Sequence, residues 1–344
     1  MLRKADYPLP SLCNNAIIIK QLKKPKGCIL EKLRIGVIGT GHLGSLHAKV
    51  YSLIAKKGGI SLVGVCDVRK DLAKQVAKKY STKHYTDYHD MLDEVDAVSI
   101  VVPTSLHYTI GKDFLNAKKH VLIEKPITKT LTEADTLVRL AEKKDVILQV
   151  GHIERFNSAV RAIEPYLKKP RFIECQRLGS IKAKKRVKDV GVVLDLMIHD
   201  IDIILGLVDS KVKNIEAVGI STVSNHEDIA NVRLTFQNNV IADITSSRVT
   251  KEETRKIRIF QENSYILLDY LHQEAQLFQN SPKGIEKYKI RIKKKEPLKV
   301  ELKSFISCVK NREKPVISGH EGRQALRVAL DILEKINSNY MSKL

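Results

Sequence analysis

No apolar run in this chain approaches the ~20 residues that a membrane-spanning helix needs, so membrane insertion is not expected. The five cysteines (Cys13, Cys28, Cys66, Cys175 and Cys308) show no CxxC spacing. An odd, scattered set argues against a disulfide framework and a cysteine-built metal site, and suits a reducing cytoplasm. Repeats are absent, and biased composition is confined to short basic stretches. Acidic residues are scarce, with 39 Asp and Glu against 60 Lys and Arg, a formal net charge of +21. Such a surplus raises the question of nucleic acid. Most of the lysines are dispersed, as on solvated faces, and no nucleic-acid partner is expected. Two runs stand out, Lys182–Lys188 and Lys287–Lys295. In the second, Tyr288, Ile290 and Ile292 alternate with Lys287, Lys289, Arg291 and Lys293, the pattern of a half-buried strand with a basic outer face. Local positive charge of this kind suits an anionic small substrate.

What is present is ample material for packed cores: 344 residues, 43% hydrophobic, a length that suggests two domains. Residues 1–32 stand apart. Pro8, Pro10, Asn14 and Asn15 precede the short apolar stretch Ala16–Ile19, and lysines follow it. That is too little for a signal-peptide core, with the charge on the wrong side. The segment reads as a disordered or loosely docked extension, or as the product of an upstream start codon. Residues 33–151 alternate between short Val/Ile-rich strands and helical stretches. Strands are expected at Leu33–Ile38, Ser61–Asp67, Ala97–Val102, His120–Glu124 and Val146–Val150. Helices are expected at His42–Lys56, Lys70–Tyr80, Asp87–Glu94, His107–Asn116 and Thr132–Lys143, the last capped by Thr132. This is the pattern of a doubly wound α/β domain on a parallel sheet. Residues 152–344 read as an α+β domain. Helices are expected at Asn157–Leu167 and Val190–Leu207, and terminal ones at Leu298–Asn311 and Gly322–Asn337. Between them lie strands that imply an open, mostly antiparallel sheet, from Phe172–Leu178 to Tyr288–Ile292. One sheet face has no obvious cover, which points to a subunit interface and a homodimer or homotetramer.

The first strand runs into Gly39-Thr40-Gly41-His42-Leu43-Gly44 and then a helix. A pyrophosphate needs backbone N–H groups at a helix N-terminus with nothing bulky in the way. Gly39 permits the turn, Gly41 the close approach, and Gly44 the packing of helix on strand. The second strand ends at Asp67, about 20 residues past the last glycine, where a carboxylate can bind an adenosine ribose. It would repel a 2′-phosphate, so NAD is expected over NADP. Arg69 is the residue that could reverse this preference, and Val68 lies between the two. Ligands of open α/β sheets bind outside the strand C-termini, which adds Pro103, Thr104 and His107 after the third core strand, and Glu124 and Lys125 after the next. Pro126 permits a cis bond that would fix the direction of the lysine. Further on, Asp195 and His199 lie four apart on one helix face, with Asp202 three beyond. A carboxylate and an imidazole suit general acid/base work on a hydroxyl. No HExxH or cysteine partner supports a metal.

Taken together, Gly39–Gly44, Glu124-Lys125-Pro126 and Asp195-x-x-x-His199-x-x-Asp202 resemble the Gfo/Idh/MocA oxidoreductases, over residues 33–340. The resemblance implies that Lys125 and His199 are the catalytic pair, with Asp195 in support, and that the open sheet mediates oligomers. Hydride would pass from a sugar carbinol carbon to the nicotinamide, His199 taking the hydroxyl proton. Family members often carry consecutive glycines before the Asp–His helix, whereas this chain keeps only Gly191. The stretch Gly151-His152-Ile153-Glu154-Arg155-Phe156-Asn157 is similar to members acting on nucleotide sugars, UDP-N-acetylglucosamine-type 3-dehydrogenases among them. Arg155 and Asn157 would then face the substrate, and an aminotransferase could use the 3-keto product. The competing readings are an inositol or simple-sugar dehydrogenase and a non-catalytic ligand-sensing regulator. The regulator would be expected to have lost the lysine or the histidine.

Overall fold

The computed structural model describes residues 32–180 and 190–341. The N-terminal extension and the basic run Lys182–Lys188 lie outside the described residues. A first sheet of six strands is parallel throughout: β1 (Leu33–Ile38), β2 (Ile60–Cys66), β3 (Lys83–Tyr85), β4 (Ala97–Ile100), β5 (His120–Glu124) and β6 (Leu148–Gly151), in the order β3-β2-β1-β4-β5-β6. Helices α1 (His42–Ala55), α2 (Lys70–Tyr80), α3 (His107–Asn116) and α4 (Leu131–Lys144) connect them. The strand order reverses between β1 and β4, so a crevice opens outside their carboxyl ends.

The second half holds α5 (Ser158–Ala162), β7 (Phe172–Leu178), α6 (Ile198–Leu207), β8 (Val212–Ile220), β9 (Ile229–Phe236), β10 (Ile241–Ser247), β11 (Thr254–Phe260), β12 (Ser264–Asp269), β13 (Glu274–Ser281) and β14 (Gly284–Lys289). These strands form one eight-stranded sheet, antiparallel except where β7 lies parallel to β10. Helices α5 and α6 and the final helix, α8 (Gly319–Met341), pack on one face. The opposite face carries a ladder of stacked rings, Phe172–Phe260–Tyr265–Phe278, with neighbouring centroids 5.7, 5.4 and 4.3 Å apart.

The cores do not divide where the sheets do. Helix α7 (Pro297–Asn311) returns to the first sheet, where Leu298, Leu302 and Phe305 pack with Ile35, Val37 and Leu122. Each such fully buried side chain contributes roughly 1.5–3 kcal/mol, enough to fix α7 against α1.

Several expected elements differ in detail. The three-residue β3 has no apolar run to announce it, since Lys83 and His84 are exposed. The helix expected at Asp87–Glu94 is only a 3-10 turn, Tyr88–Met91, with the Asp87 carboxylate accepting from the His89 amide. Thr130, not Thr132, caps α4. Its hydroxyl accepts from the Glu133 amide while Glu133 accepts from the Thr130 amide, a reciprocal box that needs the acid three residues on. The helix expected at Asn157–Leu167 stops at Ala162 and gives way to a 3-10 turn at Glu164–Tyr166, where Pro165 has no amide to donate. The last strand is shifted to Gly284–Lys289, because Gly284, at φ +103°, turns the chain there.

Candidate active site

The glycine turn is sterically enforced. Gly39 has φ +95°, and a Cβ on it would lie 2.2 Å from the Val101 carbonyl oxygen at the end of β4. A Cβ on Gly44 would lie 1.9 Å from the Gly39 carbonyl oxygen. Gly41 caps α1 with no side chain, and the first turn holds no acid, so no carboxylate of that turn offsets the positive end of the helix dipole. This cradle fits a dinucleotide pyrophosphate. His42 is exposed and Leu43 half-buried beside it. Asp67, at the end of β2, accepts from the Thr40 amide and hydroxyl, both at 2.9 Å, and from the Arg69 amide at 3.0 Å. Burial alone would raise its pKa, but these bonds outweigh it and hold the carboxyl below its ordinary value. Arg69 also reaches it through Nε at 3.3 Å, and Val68, 87% exposed, offers an apolar surface alongside.

Pro103 is exposed and Thr104 opens a short 3-10 turn at the end of β4. His107 does not present its ring to the crevice. It is buried, with ring nitrogens 2.9 Å from the Pro126 carbonyl and 3.0 Å from that of Val102, clipping the ends of β4 and β5 together. Glu124 also points inward. It is buried 3.2 Å from His47 Nε2, a contact without hydrogen-bond alignment, and a Cβ on Gly151 would stand 2.8 Å from its carboxyl carbon.

The Lys125–Pro126 bond is cis. Lys125 Nζ donates to the Asp195 carbonyl at 2.6 Å and to its Oδ1 at 3.3 Å. Lysine and aspartate, 70 positions apart in sequence, thus meet at the edge of the first sheet. Asp195 lies in a π turn, Val193–Met197, which leads directly into α6 and His199. Such widened turns recur at functional sites. The single glycine before it has a steric purpose. A Cβ on Gly191 would lie 1.9 Å from a Glu227 oxygen, and Glu227 accepts from the Val193 amide at 3.0 Å, holding the turn in place.

His199 keeps Nδ1 sealed from solvent with no hydrogen-bond partner among the described residues. Burial, then the charges of Lys125 and Arg177, drive its pKa well below the ordinary value, so the ring is held neutral. A second imidazole, missed in the sequence, lies beside it. His152 is fully buried, edge-on to His199 with centroids 6.4 Å apart, and neither of its ring nitrogens has a partner among the described residues. Burial pushes its pKa down to about 3, with Lys125 and Arg155 adding to the effect.

Arg155 and Asn157 are engaged inside the protein. Arg155 donates to the Asp202 carbonyl at 3.2 Å and occupies a slot open only because residue 206 is glycine. Asn157 is 3% exposed. Its amide donates to Glu154 and the Tyr270 carbonyl, while its oxygen accepts from the Ala159 amide. The structure does not place this pair on an open surface with Lys125 and His199. Asp202 is buried, and its pKa is raised to about 7 by burial despite the Arg155 charge. Glu301 of α7 is fully buried with both carboxylate oxygens unpartnered among the described residues. Burial, then the charges of Glu124 and Asp202, pushes it well up. Neither His152 nor Glu301 carries a local signal, since each is one polar residue in an apolar element.

A glycine cradle at the switch point of a parallel sheet, with a lysine and a neutral imidazole at its edge, defines a dinucleotide-dependent oxidoreductase. The model of an oxidoreductase family with an NAD-binding Rossmann fold matches residues 33–152, and that of the GFO/IDH/MocA C-terminal domain matches residues 165–266. The UDP-N-acetylglucosamine 3-dehydrogenase of Acidithiobacillus ferrooxidans is 33% identical over 87% of this chain and 96% of its own. Its solved structure superposes with a TM-score of 0.84 at 32% identity, covering 89% of this chain and 98% of that one. A myo-inositol 2-dehydrogenase of Thermotoga maritima is 28% identical over 86% of this chain and 93% of its own. A levoglucosan dehydrogenase in complex with NADH shares the fold, with a TM-score of 0.81 at 17% identity over 90% and 98% of the two chains. The chain belongs to the Gfo/Idh/MocA oxidoreductases. It is a dehydrogenase acting on CH–OH groups with a nicotinamide cofactor of the NAD(H) type.

Proposed function

We propose that the enzyme oxidises a secondary hydroxyl of a nucleotide sugar, C3 of a UDP-N-acetylglucosamine-like substrate, to the 3-keto sugar. The carrying observation is Lys125 bound to Asp195 next to the neutral His199, at the carboxyl edge of the sheet. His199 takes the hydroxyl proton as general base. Lys125, steered by Asp195, orients the hydroxyl and stabilises the developing alkoxide. Bound at Gly39–Gly44, the nicotinamide cofactor supplies the hydride acceptor. Asp67 favours NAD over NADP, because a fixed negative charge there repels a 2′-phosphate and Arg69 is already engaged by it.

The choice of substrate rests on the likeness to the Acidithiobacillus enzyme. The inositol-dehydrogenase relative supports the second reading, oxidation of a free polyol. Retention of both Lys125 and His199 speaks against a non-catalytic regulator. The 3-keto product is chemically suited to an aminotransferase. The ring ladder on the outer sheet face supports assembly as a homodimer or homotetramer, and the buried free thiols of Cys66, Cys175 and Cys308 suit the cytoplasm. The test is NADH formation from UDP-N-acetylglucosamine, myo-inositol and glucose, with NAD or NADP, with and without a keto acid to reoxidise bound cofactor. Turnover of free polyols with none of UDP-sugars would replace the first reading by the second.

A further inference from the structure

The pairing of β7 with β11 sets Arg177 directly opposite Arg255. Both are in phase with residues buried on the covered side of the sheet, Cys175 and Ile257, so the two guanidiniums share the inner face. Like charges directly opposite each other across a strand pair are destabilising. Arg177 is fully compensated. It is 4% exposed, forks onto Asp200 at 2.7 and 2.8 Å, and donates to Glu154 Oε1 at 3.2 Å. Glu154 Oε2 is taken by the Asn157 amide.

Arg255 is left over. Its contact with a carboxylate is 4.0 Å, to the Glu154 oxygen that Arg177 already holds, and its side chain is 38% exposed. Among the described residues no hydrogen bond reaches its guanidinium. Glu154 lies two residues past His152, the ring edge-on to His199, which sets Arg255 near that pair. Its charge is among those that depress the basicity of His199.

We infer that Arg255 is an anion-binding residue for the phosphate groups of the substrate, holding a sugar diphosphate while its hydroxyl lies at His199. A guanidinium with open, forked donors matches phosphate oxygens two at a time. This rests on the nucleotide-sugar reading and gives it a residue: a free inositol has no anionic group to pair with Arg255.

The test is calorimetric titration of the NADH-loaded full-length protein with UDP, pyrophosphate and uridine, for wild type and Arg255→Gln. UDP affinity is expected to fall at least about tenfold in the variant, the range of a lost charged hydrogen bond, with NADH affinity unchanged. Pyrophosphate should show the same dependence, which assigns recognition to the phosphates rather than the base, and uridine should show none. In wild type, UDP binding should weaken with added salt, a readout free of any effect on folding. Equal UDP affinity in both proteins, absence of UDP binding to wild type, or salt-independent binding would each overturn the assignment. Arg255-dependent UDP binding without turnover of UDP-N-acetylglucosamine would overturn the C3-oxidation reading instead, and leave this one standing.

Discussion

Asp67 and Asp202 are both buried aspartates beside the crevice, and the protein treats them in opposite ways. Asp67 accepts bonds from Thr40 and Arg69 and is held below its ordinary pKa, a fixed negative charge at the cofactor end. Asp202 leaves Oδ2 without a hydrogen bond among the described residues and is raised to about 7. Glu301 behaves like Asp202, and His152 keeps its ring neutral. The cofactor end is built from backbone amides that cannot change protonation. Behind Lys125 and His199 lie groups whose charge is suppressed. On the proposed function, one end recognises the cofactor and the other handles protons.

The largest effect expected from breaking this division is at Lys125. Lys125→Ala should lower kcat by about 10²–10⁴-fold with NADH affinity retained, checked by initial rates and by titration of NADH fluorescence. An unchanged kcat would remove the lysine from the mechanism. Gly44→Val should do the reverse and abolish NADH binding, because even its Cβ would meet the Gly39 carbonyl at 1.9 Å. A circular-dichroism spectrum would show whether the fold survives. His152→Phe keeps the bulk and removes the nitrogens beside His199. It should lower kcat by roughly tenfold, less than a direct catalytic group, without altering cofactor affinity, and steady-state kinetics at saturating NAD would decide.

The smallest effect is on stability. An aspartate with a raised folded pKa stabilises the fold while protonated. That contribution is complete below the ordinary 3.8 and is lost as pH rises through about 7. Asp202→Asn should therefore raise Tm at pH 8 by a few degrees and leave it nearly unchanged at pH 4, read by thermal melts. Asp67 has the opposite sign: its contribution is present above 3.8 and lost as pH falls through the lower folded value.

The cofactor end was legible because its chemistry is local. Gly39 to Gly44 is one stretch of chain, and the Val/Ile strands around it are buried on both faces and read as apolar runs. Lys125, Asp195 and His199 were legible singly, but their meeting depends on tertiary contacts. The π turn at Val193–Met197 has no signal of its own, because the segment is apolar on nearly every side and the phase shift of one extra residue leaves no trace in it. For Arg155 and Asn157 the motif alone suggests a place facing substrate. The structure engages them with groups distant in sequence, the Asp202 carbonyl for Arg155 and the Tyr270 carbonyl for Asn157. The charge on Arg255 becomes conspicuous only once the strand register sets it against Arg177.

Helix α8 has a mechanical consequence. Near its start, Gly319 and Gly322 sit against Leu148 and Val150 of β6, and near its end Ile336 sits against Gly219 of β8. One continuous rod is thus bolted to both sheets across the crevice. Swinging the sheets apart would bend that rod or tear out one of its anchors. Hinge opening of one sheet against the other is therefore resisted by a helix anchored on both.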